Sequence, residues 1–193
     1  MLRRLYDWTM ALAGRPRARW ALGAVSFIES SVFPIPPDVI LIPMVLARRQ
    51  AAWTLALICT GASVLGALLG YAIGFYLFQT VGQPILDFYG YQEAFARFQA
   101  GYNDYGGWVV AFFGLTPFPY KVITIASGVT ELNIATFIVA SVVSRGARFF
   151  IVAGLLWRFG EPIRAFIERY LGLLTLAFFI LLFAGFAALK LLI

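Results

Sequence analysis

Five ionisable side chains stand inside or beside apolar stretches of this sequence: Glu29, Asp38, Lys121, Arg145 and Arg148. A charge in an apolar helix is expensive to bury, and by default it marks a substrate or ion pathway. Arg145 and Arg148 are three residues apart, so one helix face would present both. Arginine offers planar paired donors to a phosphate, and lysine offers a point charge. Three cations against two carboxylates leave the set net positive, which predicts a pocket for an anionic group.

The composition places these charges in a membrane protein. Of the 193 residues, 62% are apolar and 12% are charged, whereas soluble domains have about 45–50% apolar and about 25% charged residues. The chain contains no His and a single Cys, Cys59, which excludes His-based nucleophilic catalysis, His-ligated metals and an intrachain disulfide. We therefore expect an integral membrane protein that is not an enzyme, with no metal, no cofactor and no catalytic residues. The net charge is +6. In a membrane protein an excess of Lys and Arg usually reflects cytoplasmic loops rather than nucleic-acid binding, so we expect no nucleic-acid partner.

Three apolar stretches are long enough to cross a bilayer, namely residues 51–78, 132–157 and 170–193. Each exceeds the roughly 20 residues that a helix needs to cross about 30 Å of hydrocarbon. Residues 1–19 mix arginines with Leu and Trp and predict a basic interfacial helix. Residues 79–106 are rich in aromatic side chains and predict an external amphipathic segment.

Two further apolar regions, residues 20–50 and 107–130, are interrupted by prolines. Proline removes a backbone donor and clashes with the preceding turn, so neither region is one straight helix. The arms on either side of each break are too short to cross a bilayer, and we predict two re-entrant hairpins. Irregular backbone at membrane depth needs protein or a water-filled cavity around it, so the hairpins also predict a site.

The two breaks resemble each other. Residues 34–42 read PIPPDVILI and residues 117–125 read PFPYKVITI, so two prolines and a Val-Ile pair coincide. One membrane crossing separates the copies, which makes them an inverted repeat, a pattern that favours a transporter with its site near the midplane. The half-helices that restart at Pro36 and Pro119 would direct their N-termini at this site and favour a phosphate group.

The fold class predicted for residues 1–193 is a single all-α integral membrane domain. It consists of the inverted repeat, in which a transmembrane helix follows each hairpin, together with a C-terminal transmembrane helix and interfacial amphipathic helices. The predicted substrate-binding residues lie at or beside the breaks or on the late helix: Lys121, Arg145, Arg148, Pro36, Pro119 and Thr116. Glu29 and Asp38 are predicted to couple protons, because a buried carboxyl group can hold one. The alternative is that the five charges form a satisfied structural network and bind nothing.

Gly66, Gly70 and Gly74 repeat every four residues, a small-residue stripe that lets another helix approach closely. We interpret the stripe as a packing face and expect that it could also join chains into a homo-oligomer. The basic residues concentrate in residues 3–19, 48–49 and 158–169. By the positive-inside rule, this predicts a multi-pass protein of a bacterial-type cytoplasmic (inner) membrane, with a cytoplasmic N-terminus.

The proline-broken regions, the acids around the first break and the late Arg pair resemble the DedA family, whose members carry the VTT (SNARE-associated Golgi protein) domain. Residues 116–121 (TPFPYK) and 144–149 (SRGARF) are similar to its YqaA-like branch, and the resemblance covers roughly residues 20–160. By position, Glu29 matches the family's acid before the first break, and Asp38 matches the acid after it. Many relatives carry an F-x-R-x-x-P-x-x-R pattern in the second hairpin. In this sequence the first Arg of that pattern has no clear counterpart, and Lys121 is the only basic residue after the prolines.

The resemblance implies a lipid transporter of the flippase or scramblase type. Its substrate would be a lipid with an anionic phosphate head group, such as polyprenyl phosphate or a phospholipid, with protons as a coupling partner in some members. The alternative from another class is a proton-coupled secondary transporter of ions or small solutes, in which Glu29 and Asp38 bind the substrate. A scaffold that organises other membrane proteins would instead tolerate substitution of the five charged residues.

Overall fold

The computed structural model of the chain describes residues 18–31, 36–116, 119–160 and 162. The predicted basic helix up to residue 17 and the predicted span at 170–193 lie outside these residues. So do residues 32–35 and 117–118, which include the first proline of each break.

The described residues form seven α-helices and no strand, in agreement with an all-α fold. In chain order these are α1 (Ala18–Ser31), α2 (Asp38–Ala47), α3 (Ala52–Leu77), α4 (Gln83–Tyr89), α5 (Gln92–Leu115), α6 (Tyr120–Val129) and α7 (Ile134–Gly160). A short 3₁₀ turn, Arg49–Ala51, precedes α3, and a π-helical turn, Phe78–Gly82, connects α3 to α4.

Within the described residues, two stretches of helix are long and apolar enough to cross a membrane, Arg49–Tyr89 and Ile134–Gly160. The first contains the span predicted at 51–78, and the second covers the span predicted at 132–157 except for its first two residues. The first is longer than predicted, because the π turn continues the helix into α4. The segment predicted as external therefore begins inside this helix and turns only at Gly90, whose φ of 71° is left-handed.

Both predicted breaks are present. Helix α1 ends at Ser31 and α2 begins at Asp38, directly after Pro37. Helix α5 ends at Leu115 and α6 begins at Tyr120, directly after Pro119. Each proline precedes the first turn of a ten-residue helix, where a fixed φ and a missing donor suit the geometry. The prediction that neither region is one straight helix is confirmed.

The apolar core consists of two clusters, and α3 and α7 contribute to both. The first cluster joins α1 and α2 to these helices and includes Leu22, Val45, Cys59 and Phe149. The second joins α5 and α6 to them and includes Ala67, Val110, Ile123 and Phe137. Along α3, Ser63 lies between Cys59 and Ala67, and along α7, Arg145 lies between Phe137 and Phe149. A polar layer therefore separates the two apolar clusters.

The glycine stripe of α3 is buried within the chain. A Cβ atom at Gly66 would overlap the main chain of Phe27 on α1, and Cβ atoms at Gly70 and Gly74 would overlap Thr124 and the main chain of Ile125 on α6. The predicted packing face is confirmed. Helices α1 and α6 of the same chain pack on this face. Homo-oligomerisation through it stays a prediction.

Candidate functional site

Arg145 of α7 forms a buried ion pair with Glu29 of α1. Its Nη2 lies 2.7 Å from Glu29 Oε2, and its Nε donates to Ser63 Oγ of α3 at 2.6 Å. Ser30 Oγ donates to the same Glu29 oxygen at 3.1 Å and lies 2.7 Å from Ser63 Oγ. Because Ser30 gives its only hydroxyl proton to Glu29, Ser63 donates to Ser30 while it accepts from Arg145. The four side chains from three helices thus close a hydrogen-bonded ring of interactions.

Two aromatic rings complete the surroundings of Arg145. Its guanidinium carbon lies 4.9 Å from the ring centroid of Tyr120 and 4.8 Å from that of Phe149. Tyr120, the first residue of α6, donates its hydroxyl to Ser141 Oγ of α7 at 2.7 Å. Cation–π attraction strengthens when both partners are removed from water, as they are here. The Arg145 guanidinium therefore bonds Glu29 through Nη2, and its plane lies against the rings of Tyr120 and Phe149.

Arg148 lies one turn further along α7 and connects the two breaks. Its Nη2 lies 2.5 Å from Oδ2 of Asp38, the first residue of α2. Its Nη1 donates to the main-chain oxygen of Thr116, the residue that follows the end of α5. One guanidinium thus bonds the beginning of α2, after the first break, and the residue at the end of α5, before the second break.

The Asp38 carboxylate is less completely bonded than that of Glu29. Its Oδ1 is buried and has no hydrogen-bond partner within the part of the chain that the structure describes. A buried acceptor without a hydrogen-bond partner has a desolvation cost that no bond offsets. The Asp38 carboxylate is therefore less stabilised in its position than the Glu29 carboxylate.

The remaining predicted site residues lie at the starts of α2 and α6. The carbonyl oxygens of Pro36 and Pro119 accept the first-turn amides of Val39 and Val122 at 3.2 and 3.1 Å. Lys121, the repeat counterpart of Asp38, is partly buried and follows Tyr120 in the first turn of α6. Helix α6 is further tied to α1, because Thr124 Oγ1 donates to the main-chain oxygen of Ser30 at 3.1 Å.

The structure therefore brings Glu29, Asp38, Arg145, Arg148 and the Thr116 carbonyl into one layer of the molecule. Sequence reasoning missed three residues that hold this layer together: Ser63, Tyr120 and Phe149. Only Tyr120 carried a usable signal, since it lies between Pro119 and Lys121 in the repeat. Among the described residues, no three His, Cys, Asp or Glu side chains come together as a metal site would require.

The arrangement has the chemistry of an anion site that is internally neutralised. Two guanidinium groups, one turn apart on α7, each face a carboxylate from a different helix. A phosphate oxygen makes the same charge-assisted bonds to arginine as a carboxylate oxygen does, so either pair could exchange its acid for a phosphate.

Comparison with known proteins gives a family and two bacterial relatives. The VTT domain matches residues 35–158. A Haemophilus influenzae protein described as uncharacterised is 39% identical over 165 residues, which cover 86% of this chain and 85% of that protein. A Histophilus somni protein, also described as uncharacterised, is 36% identical over 168 residues, which cover 85% of this chain and 87% of that protein. No solved structure matches the chain.

Proposed function

Because the chain belongs to the VTT-domain (DedA/SNARE-associated) family of membrane proteins, we propose that it transports a phosphate-bearing lipid across the bilayer. The transporter would be of the flippase or scramblase type. Its substrate would be polyprenyl phosphate or a phospholipid, whose phosphate enters the protein while the tails remain in the bilayer.

The observation that carries the proposal is the position of Arg148. Its two donors bond Asp38 at one break and the Thr116 carbonyl at the other. Discontinuous helices that meet in the membrane are where transporters of inverted-repeat design bind their substrates. A cation at this junction, partly accessible and already bonded to an anion, is suited to hold a phosphate head group.

Further residues of the layer would contribute to phosphate binding, to the position of the helix starts and to proton coupling. Lys121, in the first turn of α6, would add a point charge to the phosphate, and the start of that helix adds a favourable dipole. Pro36 and Pro119 would fix the beginnings of α2 and α6. Glu29 and Asp38 would carry protons if transport is coupled to a proton gradient.

The proposal includes a re-entrant path for both broken regions. Helices α2 and α6 have ten residues each, which corresponds to about 15 Å and therefore to half of the hydrocarbon layer. We propose that each region enters and leaves by the same face, in a bacterial inner membrane with the N-terminus in the cytoplasm. The bacterial origin of both relatives agrees with this location.

A transport assay in vesicles tests the function. The full chain would be reconstituted into vesicles with phosphatidic acid labelled on an acyl chain, or with polyprenyl phosphate labelled on its isoprenoid chain. The label that reaches the outer leaflet would be measured with a membrane-impermeant quencher. Arg148→Ala removes a charge-assisted bond at the junction, so we expect the rate to fall by at least about tenfold. Arg158→Ala is the matched control, because Arg158 is an exposed arginine of the same helix outside the layer.

No movement of any labelled lipid, with or without a pH gradient, would contradict lipid transport. An equal rate of lipid movement for Arg148→Ala and the unaltered chain would contradict the placement of the phosphate site at Arg148. Proton flux stimulated by a soluble ion or solute in the same vesicles would instead favour the secondary transporter, with Glu29 and Asp38 as its substrate groups.

A further inference from the structure

We infer that the two ion pairs have different roles: Asp38 yields Arg148 to the incoming phosphate, whereas Glu29 and Arg145 stay paired and position the site. This inference rests on the proposed function, because it names the residues that exchange partners when the head group binds. It makes Asp38 an internal substitute for the phosphate, and Arg145 a positioning residue.

The first argument is burial. The Glu29 and Arg145 side chains are 10% and 2% exposed, while those of Asp38 and Arg148 are 19% and 15% exposed. Separating Glu29 from Arg145 would leave two charges almost without solvent, and unpaired buried charges have a large desolvation cost. The Asp38–Arg148 pair keeps more of its side-chain surface exposed, so separating its two charges costs less desolvation.

The second argument is the number of bonds that each acid would lose. Glu29 Oε2 accepts from both Arg145 and Ser30, and Arg145 has a further bond to Ser63 and two ring contacts. In the part of the chain that the structure describes, Asp38 pairs with Arg148 through Oδ2, and its Oδ1 has no hydrogen-bond partner. Exchange at Asp38 therefore breaks one charge-assisted bond, whereas exchange at Glu29 would break a connected set.

The third argument concerns what remains after the exchange. Arg148 keeps its bond to the Thr116 carbonyl, which fixes the guanidinium while Nη2 turns from Asp38 to the phosphate. A phosphomonoester has three terminal oxygens, so it can replace Oδ2 and still accept from a second donor. The shared chemistry is that of a terminal phosphate, whether on a lipid or free in solution.

Binding to the purified full chain tests the exchange. The probes are short-chain phosphatidic acid, inorganic phosphate and, as the uncharged reference, short-chain diacylglycerol. If Asp38 competes with phosphate for Arg148, Asp38→Asn removes the competing charge at constant shape and tightens phosphatidic acid binding about tenfold or more. Glu29→Gln is the matched acid-to-amide control, for which we expect no gain in affinity.

The outcomes separate the exchange from the function. Phosphatidic acid that binds the unaltered chain, but binds Asp38→Asn no more tightly, overturns the exchange and leaves lipid transport standing. No binding of phosphatidic acid by any form, together with no lipid movement in vesicles, overturns both. If inorganic phosphate binds as tightly as phosphatidic acid and shows the same gain, the exchange holds for free phosphate and the lipid assignment fails. Asp38→Ser is a second variant with the same expected gain, should Asp38→Asn not fold.

Discussion

Arg145 Nη2 and Glu29 Oε2 lie 2.7 Å apart, although 116 residues separate them in the sequence. The bond joins α1 to α7 between the two apolar clusters. Helices α1, α2, α3, α6 and α7 each contribute a side chain to this pair, to its direct partners or to the neighbouring Asp38–Arg148 pair. The polar layer is therefore the part of the described molecule in which the two proline-broken regions meet α3 and α7.

We expect removal of one partner of this pair to destabilise the protein strongly. Glu29→Ala leaves Arg145 buried without its counter-charge, which costs about 3–5 kcal/mol. The double variant Glu29→Ala/Arg145→Met should lose less than the sum of the two single variants, because no unpaired charge remains. Thermal unfolding of the purified protein, followed by Trp fluorescence, measures all three. Additive losses would contradict a direct coupling between the two residues.

Tyr120 is expected to stabilise Arg145 mainly through its ring. Tyr120→Phe keeps the ring over the guanidinium and loses only the bond to Ser141, a change of about 1 kcal/mol. Tyr120→Leu also removes the cation–π contact, which adds about 2 kcal/mol for a desolvated pair. Denaturant unfolding compares the two variants. Equal losses of unfolding free energy in the two variants would mean that the ring over Arg145 does not stabilise the protein.

The glycines of α3 offer a matched test of close helix approach. Gly66→Ala places a Cβ atom against the main chain of Phe27, where neither backbone can give way cheaply. Gly61→Ala, one turn and a half earlier on the same helix, meets nothing within 4 Å, and it gains helix propensity of about 1 kcal/mol. We expect a lower melting temperature for the first variant and an equal or higher one for the second. The reverse order would show that α1 does not pack on α3 as described.

Local signals explain how far the sequence could predict this fold. The breaks after Ser31 and Leu115 were predictable, since proline acts on its own neighbours. That the two acids could pair with the two arginines was predictable from their charges. Which acid pairs with which arginine was not, since it depends on how α1 and α2 are rotated against α7. The extension of α3 through Phe78–Gly82 was missed because a Gly and a Pro close together usually signal a turn.

The last prediction separates the charge of Arg148 from its geometry. Arg148→Lys keeps one positive charge, but a single ammonium on a flexible stem cannot reproduce the fixed fork that bonds Asp38 and the Thr116 carbonyl together. We expect the lipid transport rate to fall about as far as in Arg148→Ala, while Arg158→Lys, an exposed change of the same kind, leaves it unaltered. Vesicle assays at matched protein density measure the three variants. A rate for Arg148→Lys equal to that of the unaltered chain would mean that the junction needs only a positive charge, and that its bridge between the two breaks is not used in transport.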